Sequence, residues 1–473
     1  MSQSPLSPKA LILIAGDIFA ATAGFSVALI VRYGGVPDTP LRELYTFAAP
    51  FLIGLWIVGL GVFGLYDLKL AKNEPWFFER LARALLFNFA VTVFLFYLLP
   101  ELRLRPLVTL LVIFIFLAVA LFGWRNIFNT ALARRFKERV CFLGVTDEVL
   151  ELSRFLAENP QLGFIPVAYA TNGAAPEGRL PLSAPTYSLG DDLAAIIRAH
   201  RIEKVVVAHE VKRARAMAKT LFGLVPLGVS VVDLHRFYES VTGKVPTSLI
   251  TETWFLENLV GTRRPRYEFA KRITDLVLAT LLGALAVVLF PFVALAIIFS
   301  TPGDIFRYRE RRARPGDGII FFRQPRVGKN GVRFDFVKFR SQVLGAERLG
   351  HEKGPQLDQR AYPIGAILRK TYLDELPQLV NVIRGEMSFV GPRPERPEFV
   401  VELEKTIPFY RMRELVLPGI TGWAQISMED DASVADAPEK IQYDLYYIKN
   451  RSLALDAAIM LKTILKLLQR SGR

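Results

Sequence analysis

The chain has 473 residues, 52% of them hydrophobic, with 35 phenylalanines, a formal net charge of +14 and a mean hydropathy of +0.30. That length holds two or three domains, the composition is that of a membrane protein, and the charge fits an anionic partner (a membrane surface, a nucleotide or a nucleic acid) without choosing among them. A single cysteine, Cys141, excludes an intrachain disulfide framework and a thiolate metal cluster, and the histidines, His200, His209, His235 and His351, lack a zinc-type spacing.

Four apolar segments come first, at about 10–31, 45–66, 85–99 and 107–122. Each is near the ~20 residues that cross a bilayer as a helix, and together they predict a four-helix transmembrane bundle over residues 1–124. Asp17 interrupts the first run, which is followed by "VRYGG" rather than a small-residue cleavage site, so no cleavable signal peptide is expected. A carboxylate facing lipid costs roughly 2.5 to 3.5 kcal/mol at midplane, so Asp17 is expected to face a neighbouring helix in a structural contact. Arg125, Arg134, Arg135, Lys137 and Arg139 follow the fourth segment, and Lys69, Lys72, Arg80 and Arg83 lie in the second loop. The positive-inside rule puts both groups, and the N-terminus, in the cytoplasm, against a smaller set in the opposite loops: Arg32, Arg42, Arg103 and Arg105.

Residues 125–265 read differently. Short apolar strands ("RVCFLGV", "GFIPVAYA", "KVVVAH", "VSVVDLH") alternate with helix-length pieces ("DEVLELSRFLAEN", "DDLAAIIRAH", "RAMAKTLFGL"). This is the periodicity of a soluble, Rossmann-like domain with a parallel sheet. A dinucleotide fold would carry G-x-G-x-x-G after its first strand, but only Gly144 is present, so a scaffolding or regulatory role is expected and the stretch after residue 236 is read as a linker.

A further apolar run, 273–299, contains Pro291. Lys271 and Arg272 precede it and Arg307, Arg309, Arg311, Arg312 and Arg314 follow, so both ends are expected on the cytoplasmic side. A proline within a helix removes a hydrogen bond and bends the chain, which makes Pro291 the expected hinge of a re-entrant membrane helix.

Residues 266–473 form the expected catalytic domain, mixed α/β, with turn signals such as "RVGKNGVRF". Its passage "ILRKTYLDELPQLVNVIRG" has Pro377 where a first helical turn tolerates proline and Gly385 where a helix ends, placing Asp374 and Glu375 at a helix N-terminus. Capping and the helix dipole would by themselves account for two acids there. Two neighbours favour a site for phosphate and a divalent cation: Arg369 with Lys370 upstream, and Arg393 held between Pro392 and Pro394 downstream. Lys338 and Arg340, on a basic strand edge, are further phosphate candidates. The last helix, "LALDAAIMLKTILKLLQR", has apolar residues at helical spacing that suit a membrane interface or the domain's own core, and Tyr443, Tyr446 and Tyr447 read as packing residues.

These segments resemble the bacterial sugar transferases, the polyprenyl-phosphate hexose-1-phosphate transferases also called monotopic phosphoglycosyl transferases. The resemblance covers about 267–468 and rests on "FFRQPRVGKNGVRFDFVKFRS", "LRKTYLDELPQLVNVIRGEMSFVGPRP", "PGITGWAQI" and "YDLYYIKNRSLALD", in that order. The front half resembles the large form, which adds four membrane helices and an α/β domain. Two departures are Phe290 where serine often precedes the hinge proline, and Gln342 where methionine commonly ends "KFRSM". What the resemblance implies is a re-entrant helix and covalent transfer. In that transfer Asp374 attacks the sugar-bearing phosphorus of a UDP-sugar and expels UMP, and a polyprenyl phosphate, undecaprenyl phosphate, then takes the phosphosugar. It further implies Asp374 and Glu375 as metal ligands for Mg²⁺, Glu375 for acid–base work, Arg369 for phosphate stabilisation and Arg393 with its prolines for the nucleotide end. A homodimer in the bacterial inner membrane, with its catalytic domain in the cytoplasm and no nucleic-acid partner, is the expected setting. The product would start exopolysaccharide, capsule or O-antigen assembly. The competing readings are a catalytically silent scaffold of a polysaccharide assembly complex, which the Asp374–Glu375 pair opposes, and a dinucleotide-dependent enzyme, which the missing glycines oppose.

Overall fold

The computed structural model describes residues 8–35, 39–66, 75–98, 107–135, 137–171, 184–208, 211, 215–259, 264–301, 318–343, 346, 360–428 and 436–470. They fall into two units, Met1–Val241 and Thr242–Arg473.

The first unit opens with helices α1 (Pro8–Tyr33), α2 (Thr39–Val62), α3 (Pro75–Leu98) and α4 (Leu107–Arg135). Ala10–Tyr33 and Val108–Thr130 are long and apolar enough to cross a membrane, and Ala49–Val62 is a shorter apolar helix. α1 and α4 are joined by a buried ion pair. Arg125 Nε donates to Asp17 Oδ1 at 2.9 Å and Nη2 to Oδ2 at 2.5 Å, while Nη1 donates to the Leu65 carbonyl and the guanidinium lies over the Tyr66 ring. Asp17 thus faces a neighbouring helix. Arg125, expected among the cations that follow the fourth apolar segment, lies instead within α4, which continues ten residues past it to Arg135, and is buried.

The same unit continues through β1 (Glu138–Leu143), α5 (Asp147–Glu158), β2 (Phe164–Thr171), β3 (Thr186–Ser188), α6 (Leu193–His200), β4 (Lys204–Val207), α7 (Arg215–Gly223), β5 (Ser230–Asp233) and α8 (Leu234–Thr242). The sheet order is β3-β2-β1-β4-β5, parallel throughout. Both sheet faces are covered, which is why the strands read as continuous apolar runs. Cys141, Leu143, Val205 and Val207 pack with Ile196, Ile197 and Met217, while Phe142 on the other face stacks on Tyr169 and meets Phe237 edge-on. Gly144, the one glycine present where a dinucleotide fold would carry its fingerprint, has φ +92, and a Cβ there would lie 2.7 Å from the Ala208 Cβ and 3.0 Å from Val211. Its missing side chain makes room for packing, and the Thr146 side chain caps α5 by accepting from Val149 N.

In the second unit α9 (Glu252–Asn258) buries Trp254 and Phe255 in one core with Val400, Leu403, Ile441, Leu445 and Ile459. α10 (Pro265–Ser300) is a 36-residue helix with Pro291 inside it, about 54 Å long at 1.5 Å per residue. β6 (Phe321–Val327) and β7 (Arg333–Phe339) form an antiparallel hairpin whose turn uses Asn330 and Gly331, both at positive φ, as the Lys-Asn-Gly signal requires. Then come α11 (Pro363–Lys370), a 3₁₀ turn (Leu373–Gln378), α12 (Leu379–Arg384), β8 (Ser388–Val390), α13 (Pro397–Thr406), a second 3₁₀ turn (Tyr410–Leu415), β9 (Gly419–Thr421), α14 (Trp423–Ser427), α15 (Ala437–Asn450) and α16 (Leu453–Arg470). β8 and β9 pair in parallel. Tyr443 and Tyr447 are buried as packing residues, and Tyr446 packs against the same core.

Both ends of α10 are fastened to this one unit. Near its start Tyr267 and Lys271 donate to Asp456 Oδ2 at 2.8 and 2.9 Å, and Asp275 Oδ1 accepts from Ser388 Oγ and Phe389 N, each at 3.1 Å. Near its end Ile297 packs with Phe339, Tyr362 and Leu368, Phe290 stacks on Phe321, and the Thr301 hydroxyl accepts from Arg340 at 2.7 Å. Its outer stripe, including Phe269, Ile273, Val277, Leu281, Val288 and Phe292, is exposed. The chain is therefore a membrane α/β protein: apolar helices of membrane-crossing length accompany a parallel-sheet domain and a mixed α/β domain.

Candidate active site

Asp374 and Glu375 lie in the 3₁₀ turn that leads into α12, one step before the α-helix expected to begin there. The reason is local. Tyr372 enters the turn with φ +57, Glu375 N donates to Tyr372 O, and Pro377 has no N–H with which to close an α-type turn. Gly385 ends α12 at φ +80, the left-handed cap that its position in the sequence predicts.

The turn packs under β7, and Lys338 of that strand donates to Glu375 Oε1 at 2.7 Å. Arg393 Nη2 approaches the same oxygen at 3.6 Å. The two acids are set apart by these neighbours. Burial raises the Asp374 pKa, and Glu375 adds to the rise; Lys338, Arg369 and Arg393 oppose it, leaving a value of about 6. Burial pushes Glu375 upward as well, but Lys338 and Arg393 outweigh it and hold its pKa at about 2. At neutral pH Glu375 is committed to its cations, whereas Asp374 is a buried, basic carboxylate with no comparable direct ion pair among the described residues. That is the state wanted in a nucleophile or a general base.

Of the other candidates, Arg369 acts electrostatically on Asp374, and its Nη1 is buried with no partner among the described residues, which leaves a donor for an anion. Pro392 and Pro394 flank Arg393 beside this cluster. Arg340 is turned elsewhere: its guanidinium donates to Ile319 O at 2.8 Å and to Thr301 Oγ1, so it ties the hairpin to the end of α10. Pro291 lies within α10, apart from the acids in sequence and in role.

Sequence reading missed Gln378 and Asn381. Both are fully buried, and Gln378 helps keep Glu375 ionised. Asn381 Nδ2 donates to Asp335 O at 2.7 Å and to Glu386 Oε2 at 2.6 Å, while its Oδ1 accepts from Val337 N at 3.4 Å. It thereby fixes the strand that carries Lys338 against the helix that follows the acids. The signal was present: Asp374, Gln378 and Asn381 recur at i, i+4 and i+7, a polar stripe on the inward face of a helical stretch.

The donor set suits a divalent cation in the manner of Mg²⁺, which takes one or two carboxylates and completes its shell with phosphate oxygens and water. Asp374 and Glu375 supply two carboxylates whose mutual repulsion a cation would relieve. Among the described residues no group of three or more acids, histidines or cysteines forms a protein-only cage.

The cluster lies within the residues that a known family's model matches. The family model of bacterial sugar transferases matches residues 313–470, and that of a CoA-binding domain matches 61–232. A UDP-N-acetylgalactosamine-undecaprenyl-phosphate N-acetylgalactosaminephosphotransferase of Aeromonas hydrophila is 36% identical over 246 residues, 52% of this chain and 53% of that one. A UDP-glucose:undecaprenyl-phosphate glucose-1-phosphate transferase of Xanthomonas campestris pv. campestris is 31% identical over 349 residues, covering 70% and 66%. The exopolysaccharide production protein ExoY of Sinorhizobium fredii is 34% identical over 47% of this chain and 95% of its own length. The chain thus spans about half to two thirds of the first two relatives and nearly all of the third.

Proposed function

Because the chain belongs to the bacterial sugar transferase family, we propose that it transfers a hexose-1-phosphate from a UDP-sugar to a polyprenyl phosphate through a covalent intermediate on Asp374. The observation that carries the mechanism is the split between the two acids, with Glu375 held ionised by Lys338 and Arg393 and Asp374 left as the basic carboxylate. In the first step an Asp374 oxygen forms a bond to the sugar-bearing phosphorus, the bond from that phosphorus to the bridging oxygen breaks, and UMP leaves with the electron pair. In the second, a phosphate oxygen of undecaprenyl phosphate attacks the same phosphorus and displaces the Asp374 carboxylate. The product is a polyprenyl diphosphate sugar, and the enzyme is restored. Splitting the transfer lets a soluble donor and a lipid acceptor use one site in turn.

An anionic nucleophile approaching a diphosphate needs compensation, and Lys338, Arg369 and Arg393 surround the approach with positive charge. Glu375 orients Lys338 and Arg393 and keeps them from pairing with Asp374. Asp374 and Glu375 would hold Mg²⁺, which when bound neutralises charge on the phosphates. The relatives differ in the sugar that their names carry, so the donor is proposed as a UDP-linked hexose, and the product is proposed to initiate exopolysaccharide, capsule or O-antigen assembly.

The setting proposed is the bacterial inner membrane, with α1 to α4 as a transmembrane bundle, the soluble domains in the cytoplasm and a homodimeric assembly. α10 is read as re-entrant, hinged at Pro291. The attachment of both its ends to the same globular unit supports this, since a helix that crossed would carry its two ends to opposite faces of the bilayer.

The test is UMP release from a panel of UDP-sugars with undecaprenyl phosphate and Mg²⁺ in detergent, comparing wild type with Asp374→Asn. Release with one donor, abolished in the variant and accompanied in wild type by a phosphosugar adduct on Asp374, is the expected result. Release undiminished by Asp374→Asn would remove the covalent mechanism.

A further inference from the structure

Residues 391–395 read Gly-Pro-Arg-Pro-Glu. The two prolines remove two backbone donors, fix their own φ and confine the residue before each to extended conformations. A segment of this kind is anchored chiefly through its carbonyls, and each of the four from Pro392 to Glu395 has a donor. Gly419 N donates to Pro392 O at 2.9 Å and Val327 N to Glu395 O at 3.0 Å. Between them, Arg413 Nη2 donates to Arg393 O at 2.9 Å and Arg326 Nη1 to Pro394 O at 3.0 Å. The glycine in front is equally fixed: Gly391 N donates to Thr421 O, and a Cβ on Gly391 would lie 2.3 Å from Leu417 O. No side chain fits where those backbones meet.

The two arginines are held in turn. Arg413 is buried, with Nε and Nη2 at 3.0 and 2.8 Å from Asp444 Oδ2 and Nη1 at 2.8 Å from the Tyr410 hydroxyl. Glu395 lies 3.7 Å from Arg326 and 3.8 Å from Arg413, and accepts from Lys440 at 2.8 Å. All of this charge surrounds a backbone segment whose only outward cation is Arg393, directed at Glu375. A long, flexible side chain reaches one spot reproducibly only when its own Cα is fixed.

We propose that Arg413 and Arg326 are positioning residues for the transfer, holding the Arg393 backbone so that its guanidinium meets Glu375 and the phosphate being transferred. Asp444 and Glu395 orient those two arginines. The inference rests on the reading of Asp374, Glu375 and Arg393 as the transfer site.

The experiment is a double-mutant cycle on the full chain in detergent, measuring kcat/KM for UMP release together with the thermal unfolding midpoint. Arg413→Lys keeps a charge for Asp444, but one ammonium cannot span Asp444, Tyr410 and Arg393 O. A displaced catalytic contact costs on the order of 10²-fold, and a loss approaching that is expected in the otherwise wild-type protein. The same change made in Arg393→Ala should cost nothing further, because no guanidinium remains to be aimed. An equal loss in both backgrounds would mean that Arg413 acts independently of Arg393, and the inference would be wrong. If Arg393→Ala by itself left UMP release unchanged, the assignment of Arg393 to the site would fall, and this inference with it. Arg326→Gln, which removes the donor to Pro394 O from a guanidinium outside the Asp444 pair, runs through the same cycle should Arg413→Lys fail to fold.

Discussion

At Asp374 the demands of chemistry and of stability point in opposite directions. Its carboxyl has a pKa of about 6 in the folded protein against 3.8 for an ordinary aspartate. The folded state therefore binds the proton more tightly across that window, and stability falls as pH rises through it. Asp374→Asn should accordingly unfold at a higher temperature than wild type at pH 8, by the equivalent of about 1 to 3 kcal/mol. The gap should close below pH 4, and equal midpoints at pH 8 would contradict the buried-charge argument. Catalysis runs the other way: only the ionised carboxylate attacks phosphorus, so turnover should decline as pH drops through about 6. Glu375 has the opposite sign. With its pKa lowered from 4.5 to about 2, the stability from its pairing is present above pH 4.5 and lost as pH falls toward 2. Lys338→Met, which leaves that carboxylate without its nearest cation, should cost about 1 to 3 kcal/mol at pH 7 by denaturant titration. A neutral result would show that Arg393 and Gln378 suffice to hold it.

For α10, the pattern of burial carries the argument. One narrow face, with Asp275, Ala279, Ala294 and Ile297, packs on the globular unit, while the large apolar residues on the other side are exposed. A helix that meets lipid along one side and protein along the other needs small residues at the closest contact. Ala279, fully buried against Phe334, Phe336, Leu379, Val382 and Met387, is such a point. Ala279→Leu is expected to destabilise by about 1 to 3 kcal/mol through overpacking, and because those contacts support the strand bearing Lys338, UMP release should fall with it. For the re-entrant reading, single cysteines at the exposed positions Arg264 and Phe299 in a Cys141→Ala background should both react with a membrane-impermeant thiol reagent only when it is applied from the cytoplasmic side. Labelling of the two from opposite sides would make α10 a crossing helix.

For the whole molecule, a relative of which 95% aligns with 47% of this chain prompts the question whether the second unit acts without the first. Residues 242–473, expressed with detergent, are expected to retain Asp374-dependent UMP release. Complete loss in a folded fragment would give α1 to α4 or the α/β domain a part in catalysis that neither was expected to have. The α/β domain itself has the sheet order of a nucleotide-binding fold, and Ala208 and Val211 occupy the space beside Gly144.

Periodicity was legible in the sequence because it is set locally. The alternation of strands and helices over residues 138–233, the Asn-Gly hairpin turn, the Gly385 cap and the long apolar helices each follow from side-chain spacing and backbone preference alone. The adjacent acids and the proline-flanked arginine were legible for the same reason. Partnership was not, since it joins residues far apart in the chain: Arg125 with Asp17 inside the helical unit, Lys338 and Arg393 with Glu375, and Arg413 with the Arg393 carbonyl. The sequence by itself determined which groups could carry the chemistry. Only the tertiary structure decided that Arg340 is used to fasten α10 and that Glu375 and Asp374 differ in proton affinity, because burial and the placement of cations are properties of the packed molecule.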